Sequence, residues 1–134
     1  EDIKLPERST VNSAGYDFFA YTDTVIPAGA VTRINTGVKC ELLPDTFLML
    51  ANRSSNPSRK GLVLMNGIGI VDADYYGNPD NDGNIGFRLL NLGDTPYKIK
   101  VGDRIRQGVF IKYGIVQNDK TITKRDGGFG SSGQ

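Results

Sequence analysis

The chain has 134 residues, with 16 Lys and Arg against 15 Asp and Glu, a formal charge of +1, one cysteine and no histidine. That length suits one domain, a near-neutral balance without a basic run argues against a nucleic-acid partner, and no apolar stretch approaches the roughly 20 residues of a membrane span. Without histidine there is no Ser-His or Cys-His pair and no ordinary zinc set, and Cys40 has no partner for an intrachain disulfide. Asp and Glu remain as general bases, and oxygen as the ligand for any divalent metal. No leader segment opens the sequence, which reads as a soluble protein of the cytoplasm, or of a host cytoplasm if the source is viral.

Apolar residues recur with period two over most of the chain, which predicts half-buried strands. In chain order, SAGYDFFA (13–20) leads through a glycine turn into an apolar strand, and its Asp17 reads either as a turn cap or as a carboxylate serving a metal. Strands follow near 24–27, 31–34, 38–42 (Val38, Cys40 and Leu42 alternating with Lys39 and Glu41) and 47–51. NRSSNP (52–57) comes next and opens the one plausible helical turn, near 54–59. Its arginine and hydroxyls suit either an anion site or an ordinary N-cap. Strands near 62–65 and 68–72 flank Asn66-Gly67, the signal of a tight hairpin. Alternation then sets Asp72 and Asp74 on one face and Tyr75 on the other. NPDNDGNI (78–85) has the composition of an exposed loop with no catalytic part. Strands near 85–92, 97–101 and 104–112 complete nine or ten, which predicts an all-β barrel or sandwich. In GDRIRQGVF (102–110), Arg104 and Gln107 stand at a strand edge. The glycine-rich end KRDGGFGSSGQ (124–134) cannot build a core and reads as a tail or linker, with the lone Phe129 arguing for more.

Taken in order, AGYD, RSS, the Asn66-to-Tyr75 segment, DRIRQ and GGFGSSG resemble the five motifs of the trimeric dUTPase family, from Ala14 to Gly133. The middle segment VDADYYG is the most specific match. The resemblance implies a jelly-roll-like β-barrel of the β-clip type over residues 1–123, a flexible lid over 124–134, and assembly as a homotrimer with shared active sites. It also implies hydrolysis of dUTP to dUMP and pyrophosphate with Mg2+. Asp72 would activate the water, and Asp17 would reach the metal through coordinated water. Arg53, Ser54, Ser55 and Gln107 would hold phosphates. Asn66 and the main chain of Gly69, Ile70 and Val71 would read uracil, and Tyr75 would pack on the deoxyribose. In the lid, Phe129 would stack on the base, while Gly130, Ser131 and Ser132 contact phosphates. Arg125 is the expected γ-phosphate ligand because a guanidinium grips phosphate bidentately, with Lys124 the alternative. Asp74 would brace the turn or a neighbouring subunit. The rival readings are a dCTP deaminase of the same superfamily, alone or bifunctional, and a regulatory role in which this body captures a protein partner.

Overall fold

The computed structural model describes residues 3–54 and 61–123. Among them are ten strands: β1 (Glu7–Arg8), β2 (Tyr16–Phe19), β3 (Thr24–Ile26), β4 (Val31–Asn35), β5 (Thr46–Ala51), β6 (Leu62–Leu64), β7 (Gly69–Val71), β8 (Gly86–Asn91), β9 (Tyr97–Ile99) and β10 (Arg104–Lys112). The one helical element among these residues is a 3-10 turn at Ala73–Tyr75. A five-stranded sheet runs in the order β1-β2-β10-β5-β7, a three-stranded sheet in the order β4-β8-β6, and β3 pairs with β9. All the pairings are antiparallel.

The sheets close around one apolar core. Phe18, Leu48, Leu50 and Val71 from the five-stranded sheet meet Ile34, Leu62, Leu64, Phe87 and Leu89 from the three-stranded one. Phe18 and Phe87 join the two layers edge to face at 5.4 Å, the geometry that aromatic quadrupoles favour. Alternation built these faces: β5 buries Leu48 and Leu50 between less buried neighbours, and β8 turns Phe87 and Leu89 inward on either side of exposed Arg88.

Two expectations fail. The 38–42 segment forms no ladder, although Val38, Cys40 and Leu42 do pack against the core. Its backbone is satisfied by single bonds instead, such as Ile85 N donating to Val38 O at 2.8 Å. Alternation reports which side faces the core, and strand pairing needs a partner as well. Nor is the Asn66-Gly67 turn a hairpin of paired strands. Gly67 does take a positive φ of 75°, but β6 pairs with β8 while β7 pairs with β5. The turn therefore carries the chain from the edge of one sheet to the edge of the other. Of the expected helical turn near 54–59, Ser54 lies in a turn, and the rest falls outside the described residues.

Candidate active site

At one end of the five-stranded sheet, polar side chains converge from three strands. Asp17 in β2 is 6% exposed, and its two carboxylate oxygens accept from Arg53 Nε at 3.1 Å and Arg104 Nε at 3.3 Å. Register explains the convergence, since Asp17 pairs with Gln107 and Gln107 with Ala51, the last residue of β5 before Asn52-Arg53. Gln107 Nε2 donates to Asn52 O at 2.9 Å. Gly15 makes room for it, because a Cβ there would overlap Gln107 Oε1. Behind this corner Asn52 Oδ1 accepts from Arg106 Nε and from Leu64 N, both at 2.9 Å. Two guanidiniums share one carboxylate, so the corner keeps net positive charge and has more N–H groups than Asp17 can accept from, which is what a polyphosphate requires.

Arg106 is 1% exposed and its Nη2 has no hydrogen-bond partner among the described residues. Burial pushes its guanidinium down to about 10, so it stays charged at neutral pH. A strand irregularity between Arg104 and Gln107 places it here: consecutive residues Ile105 and Arg106 both turn inward, which alternation does not foresee.

Beginning level with Leu50, next to this corner, an opening lies between the two edge strands β6 and β7. A groove of about 290 Å³ is lined by Leu50, Leu64, Met65, Asn66, Gly69 and, from β8, Gly86 to Arg88, with Arg33 at its side. β7 is an edge strand, so the backbone groups turned away from β5 offer a row of donors and acceptors. Gly69 and Val71 are buried, while Asn66 and Ile70 are exposed. Asp72 follows with an exposed side chain and caps the 3-10 turn in an extended conformation, its carbonyl accepting from Tyr75 N at 3.1 Å. That turn replaces the expected strand alternation at 72–75. Asp72 and Asp74 are both exposed, and Tyr75 enters the core at 3% exposure.

Asp72 and the arginine corner are far apart within one chain. Val71 pairs with Leu48, so Asp72 lies level with Phe47, whereas Asp17 and Gln107 lie level with Ala51. Four residues along and two or three strands across put Asp72 roughly 15–20 Å from the arginine corner.

The dUTPase family model matches residues 1–133. A deoxyuridine 5'-triphosphate nucleotidohydrolase of Lactococcus lactis is 42% identical over 133 residues, spanning 98% of this chain and 89% of that protein. The chain belongs to the dUTPase family. Its fold agrees with the crystal structure of a dUTPase from Streptococcus mutans, with a TM-score of 0.83 and 42% identity over 85% of this chain and 89% of that one. A variant dUTPase from phage phi11 of S. aureus, described as coordinating a structural Mg(II) ion, shares the fold at a TM-score of 0.74 and 23% identity, over 88% of this chain and 89% of that one. The all-β, jelly-roll-like β-clip architecture expected from the sequence is the architecture of this family.

Within that family frame, the described residues bring together Asp17, Arg53 and Gln107 at the corner, with Ser54 exposed beside Arg53, and Asn66 and Gly69 at the groove, while Ile70, Val71 and Asp72 continue along β7 and into the turn after it. Ser55, Lys124, Arg125, Phe129, Gly130, Ser131 and Ser132 lie outside the described residues. Sequence reasoning passed over Arg104 as a partner of Asp17, and Asn52 and Arg106 altogether. The adjacency of Asn52 to Arg53 was the available signal. Cys40 offers no alternative nucleophile, since burial pushes its thiol up, away from thiolate at neutral pH. Among the described residues no three Asp, Glu or Cys side chains gather to cage a metal, and none of their helices is long and apolar enough to cross a membrane. A single carboxylate whose oxygens already accept from two guanidiniums fits a magnesium ion that keeps its own waters and binds mainly to phosphate oxygens.

Proposed function

We propose that the chain hydrolyses dUTP to dUMP and pyrophosphate in sites assembled from three copies of itself, with magnesium carried on the nucleotide. The register of the five-stranded sheet supports the shared site. Asp72 and the arginine corner stand at opposite ends of one chain, too far apart to flank a single α-phosphorus, so a site using both draws them from different copies.

In that site β7 and Asn66 present main-chain and amide groups to uracil in the groove. Cytosine, with its donor and acceptor reversed, would leave them unpaired. Tyr75 acts as a fixed wall against the deoxyribose, held by the core on its other side. Asp72, exposed and set by the turn behind it, takes a proton from the attacking water as that oxygen bonds to the α-phosphorus. The bond to the α,β-bridging oxygen breaks and pyrophosphate leaves. Arg53, Gln107 and Ser54 of the neighbouring copy hold the phosphates, and Asp17 fixes the guanidinium of Arg53 and would help to hold the magnesium ion. Bound magnesium would supply charge neutralisation on the triphosphate. Ser55 and the 124–134 lid, through Arg125, Phe129, Gly130, Ser131 and Ser132, would complete the enclosure and exclude water.

Pyrophosphate and ammonia release, measured with dUTP and with dCTP in the presence of Mg2+, tests the reading. Pyrophosphate from dUTP is expected. Ammonia from dCTP would replace this reading with a deaminase.

A further inference from the structure

The 78–84 segment is not the loose surface loop its composition suggests. Asn78 and Gly83 are buried, and Asn81 and Asn84 are partly buried. The loop starts by closing on Tyr75, whose carbonyl accepts from Asn78 N at 3.1 Å. Asn78 then folds the loop back, its carbonyl accepting from Asp82 N at 2.6 Å and its Oδ1 from Asp80 N at 2.9 Å. Gly83, at a φ of +82°, lies so close to this turn that a Cβ would meet Tyr75 O at 2.8 Å and Gly77 N at 3.0 Å. The far side is pinned by Gly37 N to Asn84 Oδ1 at 3.1 Å, Arg33 Nη2 to Asn84 O at 3.0 Å, and the Lys39–Asp82 pair at 2.9 Å.

All this holds one side chain against Tyr75. Asn81 Nδ2 donates to the Tyr75 hydroxyl at 2.7 Å. The orientation of the amide is settled within the loop, because Asn81 Oδ1 accepts from Gly83 N at 3.0 Å and only the NH2 is left to face the phenol. The hydroxyl in turn points at Asn84 O, at a longer 3.5 Å. The core clamps the ring of Tyr75, and the loop clamps its tip.

We infer that Asn81 is a positioning residue for Tyr75, fixing the ring through its hydroxyl and so helping to set the preference for deoxyribose over ribose. The inference rests on the reading of Tyr75 as the sugar wall. A ring held at both ends cannot yield to an added 2′-hydroxyl, whereas a ring freed at its tip can tilt away. The consequence is a loss of discrimination, since Asn81 acts on the Tyr75 hydroxyl at 2.7 Å and is otherwise bonded within its own loop at Gly83 N.

The test is a double-mutant cycle on the full chain with Asn81→Ala and Tyr75→Phe, read as the ratio of kcat/KM for dUTP to that for UTP. One net hydrogen bond corresponds to about a fivefold change. Each single variant should therefore lower the ratio by about that factor, and the double should fall no further than the larger single effect. Tyr75→Phe keeps the ring and its packing, so the cycle does not depend on Asn81→Ala preserving the loop. An unchanged ratio in both singles, or a double effect equal to the product of the two, overturns the inference. Tyr75→Ala separates the layers. If it lowers the ratio while both singles leave it unchanged, the brace fails and the sugar wall stands. A wild-type ratio in Tyr75→Ala removes the wall and the brace with it.

Discussion

The arginine corner and the Asp72 end are built by opposite means. Asp17, Arg53, Arg104 and Gln107 are brought together by bonds between strands that are distant in sequence, and Asp17 is almost wholly buried. Asp72 is placed by a three-residue turn and stands exposed. The difference follows from the tasks. Groups that meet several phosphate charges gain most from being oriented before the substrate arrives, and their mutual repulsion has to be offset by the fold. A base that handles one proton needs position and access, which a short turn supplies.

Removing the base should break the comparison most cleanly. Asp72→Asn should lower turnover by about 10²–10⁴-fold, measured as pyrophosphate release, while shifting thermal stability by less than ~0.5 kcal/mol because the side chain is exposed. Asp17→Asn should do the reverse. It leaves two guanidiniums without their shared carboxylate, so stability should drop by about 1–3 kcal/mol in denaturant unfolding, with a raised KM alongside any loss of turnover. Equal stability losses in both variants would erase the contrast. Gly15→Ala sharpens the corner alone, since the new methyl displaces Gln107 from Asn52 O. KM for dUTP should rise by up to about fivefold, the value of one hydrogen bond, with kcat little changed. The smallest effect belongs to Lys39 on the loop beside Tyr75. Its pKa is raised, chiefly by the hydrogen bond to Asp82. A raised folded value means that the pair's contribution is complete below the ordinary lysine range and fades as pH climbs through the raised value. Lys39→Met should therefore melt slightly below the parent at pH 7, and the two curves should converge at strongly alkaline pH.

The same contrast governs what the sequence reveals. The Asn66-to-Tyr75 segment is legible because its chemistry is contiguous, with a glycine at positive φ, a base and a tyrosine within ten residues. Asp17, Arg53 and Gln107 are recognisable only through the order of short motifs, as each alone suits a cap or a solvated edge. Arg106 stayed hidden because a buried guanidinium contradicts hydrophobic patterning and depends on a strand irregularity that leaves no local signal. Strand existence was read well from β2 to β10, but partners were not. β6 and β7 look like a hairpin in sequence yet belong to different sheets, since alternation encodes which face is buried and says nothing of which edge is paired. NPDNDGNI misled for a related reason. Pro, Asn, Asp and Gly mark turns, and here the turns fold inward on a tyrosine hydroxyl.

Subunit mixing tests the central claim, that Asp72 of one copy works with the arginine corner of another. Asp72→Asn and Arg53→Ala chains, each nearly inactive alone, are unfolded together, refolded at equal ratio and assayed for pyrophosphate release from dUTP. If sites are shared around a three-fold ring, random mixing pairs an intact Asp72 with an intact corner in about one site in four, restoring about a quarter of parental activity. Activity that stays at the level of the two variants assayed separately would contradict a shared site and return both ends to a single chain.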